Sequence, residues 1–379
     1  MATVAAHEAP AQTASQPEVI LRTQGLTKQF GARTAVENLA LEVRRGDVFA
    51  LLGPNGSGKT TTLRMLLGLI WPTNGEINVF GRDFADGAWR QAALRRIGAV
   101  VEQPTFYPYL NARENLSGIA TFAGLSNTEQ THARIQWALE QVGLTARAGD
   151  AYRKYSLGMK QRLGIAAALL TDPELVILDE PTNGLDPAGI SDVRVLIARL
   201  AQRGVTVLLS SHLLHEVQQV CTRVAIIQSG RLISQGSVAD LLSASRGVLL
   251  SFDQSDSPHR AAQALHQANL PWAPQASYLR VDPVAASGWQ LLVSAPHERA
   301  ADLNALLVGA GVTPAEVRRY EPSLENYFLS LTGGAALTSM APAYSLGAAS
   351  ASVATPQAPR QTPLPSQNES QESSQGGQE

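Results

Sequence analysis

Residues 53–60 read Gly53-Pro54-Asn55-Gly56-Ser57-Gly58-Lys59-Thr60, and this stretch decides the fold. An apolar run of buried-strand type, residues 48–52, precedes it, and residues 61–69 follow it with the spacing of apolar side chains that is typical of a helix. Strand, glycine-rich turn and helix form the context in which the pattern is a phosphate-binding loop. Its glycines let successive backbone N–H groups point into one concavity, and the helix N-terminus adds its positive end. The stretch therefore predicts an α/β domain that binds a nucleoside triphosphate.

The loop also supplies side chains with separate tasks. We expect Lys59 to reach the β- and γ-phosphates and the Thr60 hydroxyl to hold Mg²⁺. The predicted nucleotide-binding residues of this segment are Gly53, Pro54, Asn55, Gly56, Ser57, Gly58, Lys59, Thr60 and Thr61.

A second apolar strand ends in two carboxylates, since residues 175–180 read Leu175-Val176-Ile177-Leu178-Asp179-Glu180. An aspartate delivered by a strand beside the phosphate loop can position Mg²⁺, which is the role we expect for Asp179. Glu180 is then placed to polarise an attacking water as a general base. A buried strand that merely ends in solvated acids would look similar, but the phosphate loop upstream favours the functional interpretation.

Two further stretches carry a family resemblance. They read Tyr155-Ser156-Leu157-Gly158-Met159-Lys160-Gln161-Arg162 and Asp179-Glu180-Pro181-Thr182-Asn183-Gly184-Leu185-Asp186-Pro187. With the phosphate loop, they make residues 19–245 resemble the ATP-binding subunits of ATP-binding cassette (ABC) transporters. The resemblance implies ATP as the nucleotide and roles for four more side chains. Gln103 matches the Q-loop glutamine, which acts in catalysis and on the metal, and Asp186 matches the D-loop aspartate. His212 matches the catalytic switch histidine, and Phe30 matches the aromatic residue whose ring stacks on adenine.

One departure from the family pattern lies in its signature, which usually reads Leu-Ser-Gly-Gly-Gln. Ser156 and Gly158 are kept, whereas Leu157 and Met159 replace a glycine and a glutamine. In the family, the two retained residues contact the γ-phosphate bound by the opposite subunit. The resemblance therefore implies a homodimer, or a heterodimer with a paralogue, that sandwiches two ATP molecules. This form of the signature is similar to the branch that drives antibiotic exporters, including bacitracin-type transporters, as is the stretch of residues 321–333.

Composition and charge narrow the choice of partners. The formal net charge of −2 gives no reason to expect a nucleic-acid partner. Cys221 is the single cysteine, which excludes an intramolecular disulfide and fits a reducing compartment. No apolar run approaches the ~18 residues of a membrane span, and the N-terminus lacks the features of a signal peptide. We expect a soluble cytoplasmic protein, peripheral on the inner face of the cell membrane, under a separately encoded transmembrane permease.

The chain divides into four predicted segments. Residues 1–18 and 335–379 are rich in Ala, Ser, Pro and Gln and are expected to be disordered. Residues 19–245 form the predicted α/β P-loop ABC nucleotide-binding domain, with a helical subdomain at about 111–170. Residues 246–334 show a strand–helix–strand–strand–helix–strand pattern, which predicts a small α+β, ferredoxin-like C-terminal domain.

Two side-chain interpretations stay open at this point. Phe30 could be a strand-core aromatic instead of the adenine partner, although its position ahead of the phosphate loop favours adenine. An unusually apolar loop after Gln103 could grip a membrane partner, or it could simply pack the helical insert; its residues are Phe106, Tyr107, Tyr109 and Leu110.

The main alternative function is a soluble ABC ATPase that acts on ribosomes or DNA. Translation-type members usually carry two cassettes in one chain and DNA-repair types a long coiled-coil insertion, and this chain has neither. A phosphate-loop kinase or GTPase would not explain the signature. A degenerate, non-hydrolysing cassette is disfavoured because Lys59, Glu180 and His212 are all present.

Overall fold

The computed structural model describes residues 17–102, 104–126, 128–243, 246–253, 257–268, 270, 279–281, 289–293, 295–321 and 323–332. Gln103, residues 1–16 and the predicted tail at 335–379 lie outside the described residues.

A six-stranded sheet carries the phosphate loop. Its strands are β4 (Val48–Leu52), β7 (Ile97–Val100), β8 (Leu175–Leu178), β9 (Thr206–Ser211), β10 (Arg223–Gln228) and β11 (Arg231–Ser237). They lie in the order β11-β10-β4-β9-β8-β7, parallel throughout except for the antiparallel pair of β10 and β11. The carboxyl ends of parallel strands meet at one edge of a sheet. The phosphate loop after β4, the acid pair after β8 and His212 after β9 therefore come to the same edge.

A second sheet is antiparallel and shares a buried cluster with this one. Its strands are β1 (Val19–Phe30), β2 (Arg33–Leu39), β3 (Glu42–Arg44), β5 (Asn74–Val79) and β6 (Arg82–Asp83). The long β1 pairs with β2, β3 and β5, and β5 pairs with β6. Phe30, the last residue of β1, thus ends a strand that belongs to this second sheet.

The parallel strands are apolar on both faces because each face has its own core. In β4, Val48, Ala50 and Leu52 belong to one buried cluster, and Phe49 and Leu51 belong to another. Side chains alternate along a strand, so a strand covered on both faces reads as a continuous apolar run. The first cluster contains the helices of the insert, and the second contains the antiparallel sheet and the helix after the phosphate loop.

The cassette helices are α1 (Lys59–Leu66), α2 (Gly87–Leu94), α3 (Ala112–Phe122), α4 (Glu129–Gln141), α5 (Leu157–Ala168), α6 (Pro187–Gln202), α7 (Leu214–Val220) and α8 (Val238–Ser243). Helices α3, α4 and α5 contact one another and occupy the segment predicted as helical. A capping box between Asn111 and Glu114 fixes the start of α3. The Ser156 side chain caps α5, which fixes where the signature helix begins. Within the described residues, every helix is too short or too polar to cross a membrane.

The described C-terminal elements are β12 (Gly247–Phe252), α9 (Ser257–Ala268), β13 (Leu279–Val281), β14 (Trp289–Val293), α10 (Ala300–Gly309), β15 (Glu316–Tyr320) and α11 (Leu324–Thr332). The four strands form a sheet in the order β13-β14-β12-β15, and each neighbouring pair is antiparallel. A separate buried cluster joins β12, β14, α9 and α10.

The last helix, α11, packs on the cassette. Leu324 is fully buried in the same apolar cluster as the helical insert, and α11 contacts α7 and α8. The backbone N–H of Leu324 donates to Gln218 Oε1 at 2.8 Å, and the Tyr327 and Ser234 hydroxyls lie 3.0 Å apart. The chain therefore returns to the cassette after the C-terminal sheet.

An ion cluster ties the amino ends of three parallel strands together. Arg96 Nε donates to Glu174 Oε1 at 2.5 Å, and Arg45 donates to Glu174 Oε2 at 2.9 Å. The hydrogen bond from Arg96 is the main reason that the pKa of Glu174 falls from its ordinary 4.5 to about 2, with Arg45 adding to the effect against a partial loss of hydration. These contacts hold the sheet at the end opposite the phosphate loop.

We predict a pH-dependent loss of stability in Glu174→Gln. A carboxyl with a lowered folded-state pKa stabilises the fold above its unfolded pKa, and it loses that contribution as the pH falls from 4.5 toward 2. Because the cluster is partly exposed, the variant should lose only about 1 kcal/mol of unfolding free energy at neutral pH. Urea unfolding should show this loss at pH 7 and little of it near pH 2, where the folded-state carboxyl also becomes protonated. An equal loss at both pH values would mean that packing, not charge, is responsible.

Candidate nucleotide-binding and hydrolysis site

The phosphate loop needs glycine at two positions of unusual backbone. Gly56 has φ of 80° and Gly58 has φ of 104°, a region that residues with a side chain rarely adopt. A Cβ on Gly58 would lie only 2.6 Å from the carbonyl oxygen of Ala35. The loop therefore turns tightly on β2 and leads into α1 with its backbone N–H groups at the helix start.

Lys59 begins α1 and is buried, with 5% of its surface exposed. Its ammonium donates to the carbonyl oxygens of Gly53 at 2.8 Å and Pro54 at 3.3 Å. The same nitrogen lies 3.1 Å from Glu180 Oε1. The loop's cation and the acid after β8 are thus in direct contact across the edge of the sheet.

Glu180 contacts both Lys59 and His212, and these three residues form a contact chain. One carboxylate oxygen faces Lys59, and the other lies 2.8 Å from His212 Nδ1. Its backbone is left-handed, with φ of 46°. Lys59 is the first residue of α1, Glu180 lies in the turn after β8, and His212 directly follows β9. A carboxylate fixed at both oxygens is oriented, which a general base requires.

Asp179 and Thr60 are the residues expected to serve a divalent cation. Asp179 is buried, and its Oδ1 accepts a hydrogen bond from the Ser210 hydroxyl at 2.5 Å. Thr60 is half-buried in the first turn of α1. A carboxylate and a hydroxyl are hard oxygen donors, the type that Mg²⁺ prefers. The donor chemistry therefore fits Mg²⁺ bound together with a nucleotide.

Phe30 lies outside the buried cores. Its side chain is 52% exposed, and the Lys28 ammonium stands 5.1 Å from the ring centroid. The strand-core interpretation does not apply, because the ring is accessible at the end of β1. An accessible aromatic ring can stack on a planar base.

The signature and D-loop residues lie apart from this cluster. Ser156 is exposed and accepts a hydrogen bond from the backbone N–H of Met159 at 3.3 Å, and Gly158 follows in the first turn of α5. Asp186 caps α6 by accepting from the backbone N–H of Gly189 at 3.1 Å. Among the described residues, no hydrogen bond or ion pair links Ser156 or Asp186 to Lys59 and Glu180. One chain thus assembles the loop, acid and histidine, and presents its signature elsewhere.

The apolar loop ahead of α3 separates into two kinds of residue. Phe106 is buried, and its ring centroid lies 5.2 Å from that of Tyr152. Tyr107, Tyr109 and Leu110 are exposed, the first two by 67% and 78%. Packing of the insert therefore explains Phe106 but not the two tyrosines.

Sequence reasoning missed Ser210 at this site. Its hydroxyl bonds to Asp179, and it also accepts the backbone N–H of Glu180 at 2.8 Å. The available signal was a serine that ends an apolar run, two residues before His212.

Comparison with known proteins gives consistent matches. The family described as "ABC transporter" matches residues 36–183. The bacitracin transport ATP-binding protein BcrA of Bacillus licheniformis is 42% identical over 316 residues, which cover 83% of this chain and 98% of that protein. The lantibiotic transport ATP-binding protein SrtF of Streptococcus pyogenes is 40% identical over 214 residues, or 56% of this chain and 89% of that protein.

A solved structure agrees with these matches. The dimeric structure of MJ0796, a bacterial ABC transporter cassette, superimposes with a TM-score of 0.53 at 26% identity, covering 58% of this chain and 99% of that one.

Proposed function

The chain belongs to the family of ABC transporter ATP-binding proteins, whose members hydrolyse ATP to power transport. We propose that it supplies energy to an exporter, together with a separately encoded membrane permease. The main support for this proposal is the contact chain of Lys59, Glu180 and His212. Lys59 would bind the terminal phosphate of the nucleotide, and Glu180, held by His212, would activate water. The relatives that match over nearly their full length are transport proteins, and they lend no support to a role on ribosomes or DNA.

The cargo class follows from the relatives' names. BcrA is named for bacitracin transport and SrtF for lantibiotic transport. We infer that this chain drives the export of an antibiotic. The permease would select the cargo, and this chain would supply the energy.

In hydrolysis, the water oxygen bonds to the γ-phosphorus as the bond from phosphorus to the β-phosphate oxygen breaks, giving ADP and phosphate. Glu180 accepts the proton of the attacking water, and His212 holds the carboxylate in place. Lys59 neutralises charge on the β- and γ-phosphate oxygens. Thr60, Asp179 and Gln103 would hold Mg²⁺, which neutralises further charge on the phosphates when bound. Phe30 would stack on the adenine.

The signature completes this site from a second chain. Ser156 stands at the exposed N-terminus of α5, and such a terminus favours an anion. A two-fold pair would place each signature on the other subunit's ATP, with Asp186 close to the subunit boundary. The dimeric cassette to which this chain is similar supports that arrangement. The pair would be a homodimer, or a heterodimer with a paralogue.

The surface that meets the permease would include the two exposed tyrosines, Tyr107 and Tyr109, which lie in the loop directly after Gln103. We infer that the protein lies at the inner face of the cell membrane. We assign residues 246–334 to a ferredoxin-like accessory domain, supported by the strand order β13-β14-β12-β15. Its role would be to stabilise or regulate the pair, and α11 would attach it to the cassette.

Ser156→Arg tests the shared site. ATP binding should be unchanged, because the phosphate loop is intact, whereas turnover should fall by about 100-fold or more because the arginine fills the space that the γ-phosphate needs. Binding is measured by titration and turnover by phosphate release from the full chain. Thr128→Arg, which alters the cap of the neighbouring α4, is the matched control and should stay active. Full activity in Ser156→Arg would show that this signature does not act in trans.

A further inference from the structure

Ser210 is a fully buried polar residue in an apolar strand. It follows Val207, Leu208 and Leu209 in β9, and none of its surface is exposed. β9 lies between β4, which leads into the phosphate loop, and β8, which leads into the acid pair. A hydroxyl at such a position is retained only when it is hydrogen-bonded, so its partners indicate its purpose.

The direction of both hydrogen bonds is fixed by the chemistry of the partners. The backbone N–H of Glu180 can only donate, so the Ser210 oxygen accepts at 2.8 Å. An ionised Asp179 carboxylate can only accept, so the single Ser210 hydrogen goes to Asp179 Oδ1 at 2.5 Å. The second bond has the short length typical of a hydroxyl donating to a charged oxygen. One hydroxyl thus bridges the two consecutive acids.

This bridge holds an unfavourable backbone. Glu180 has φ of 46°, a region that residues with a side chain seldom occupy unless their surroundings enforce it. With the Glu180 peptide held there, the carboxylate reaches Lys59 on one side and His212 on the other. The hydrogen bond from Ser210 to Oδ1 fixes the orientation of the Asp179 carboxylate.

Ser210 lies near the end of β9, and His212 is the first residue after that strand. Ser210 fixes the peptide of Glu180, and His212 fixes its carboxylate. The end of β9 therefore controls both halves of the same residue.

We propose that Ser210 is a positioning residue for ATP hydrolysis, whose hydroxyl orients Asp179 for the cation and Glu180 for the attacking water. This inference rests on the proposed function, because it assigns those roles to the two acids. Ser210 itself is fully buried, so it acts through its hydrogen bonds to the two acids.

The test compares Ser210→Ala, which removes the hydroxyl, with Ser210→Thr, which keeps it. In the full chain, Ser210→Ala should lower kcat by about 10- to 100-fold, the usual cost of losing a group that orients a metal ligand. The KM for ATP should change little, and the Mg²⁺ concentration that gives half-maximal activity should rise. Ser210→Thr should recover most of the activity. Thr206→Val is the matched control, because it removes another buried hydroxyl from β9. The Thr206 hydroxyl lies at the other end of the strand, where it accepts a hydrogen bond from the backbone N–H of Gly46.

The result that would overturn the inference is wild-type kcat and Mg²⁺ dependence in Ser210→Ala, or an equal loss of kcat in Thr206→Val. Titration of Mg²⁺ into the ATP-loaded proteins gives a second readout that needs no turnover. There, Ser210→Ala should bind Mg²⁺ more weakly than the unaltered chain, and equal binding would refute the role at Asp179. A lack of hydrolysis by the unaltered chain would instead contradict the proposed function, so the two failures are distinguishable.

Discussion

Glu180→Gln is expected to bind ATP almost as tightly as the unaltered chain and to hydrolyse it about 10²- to 10⁴-fold more slowly, the range for loss of a general base. The amide keeps the shape of the side chain and can still lie between Lys59 and His212, but it cannot accept a proton from water. In the proposed pair, hydrolysis removes the γ-phosphate that joins the two subunits, so the variant should accumulate as an ATP-bound dimer.

Two measurements check this expectation. Phosphate release gives the turnover, and multi-angle light scattering gives the mass with and without ATP. Glu140→Gln makes the same chemical change on the surface of α4 and should behave as the unaltered chain does. A Glu180→Gln chain that keeps full turnover would mean that another group is the base. One that turns over slowly yet stays monomeric with ATP would contradict the shared site.

Lys59→Ala should weaken ATP binding by about 100-fold or more, since loss of a buried charge partner commonly costs 2–5 kcal/mol. The ammonium is almost fully buried and is aimed by the carbonyl oxygens of Gly53 and Pro54. Without it, the charge of the β- and γ-phosphates would be left to the loop's N–H groups, and Glu180 would lose its cationic neighbour.

Titration with a slowly hydrolysed ATP analogue measures the loss. Lys154→Ala removes an exposed lysine from the helical insert and should bind normally. Thermal unfolding of both variants establishes that Lys59→Ala is folded. Unchanged affinity in the folded variant would contradict the assignment of the phosphate loop.

Much of the cassette could be predicted because its signals are local. Val48–Leu52 is a strand with the predicted bounds, since a strand buried on both faces reads as an unbroken apolar run. The helix after the loop was predicted over residues 61–69 but spans Lys59–Leu66. It ends earlier because the chain turns at Gly68, whose φ of 66° does not continue a right-handed helix.

The contacts that were missed are non-local. Ser210 meets Asp179 across 31 residues, and a strand pattern does not reveal which residues of neighbouring strands lie side by side. The left-handed backbone of Glu180 likewise depends on its neighbours and not on its residue type. Leu324 contacts the cassette because α7 and α8 leave a surface for α11, which its own sequence does not specify. Phe106 is buried and Tyr107 is exposed, although the sequence shows both as apolar residues of one loop.

We expect this chain to hydrolyse ATP in order to drive a membrane permease. The most direct test is affinity purification of the tagged Glu180→Gln chain from its native cells in mild detergent with ATP, followed by mass spectrometry. We predict that a membrane protein with several spans will be recovered in near-equal amount. Recovery of ribosomal proteins or DNA-repair factors, with no membrane protein, would contradict it.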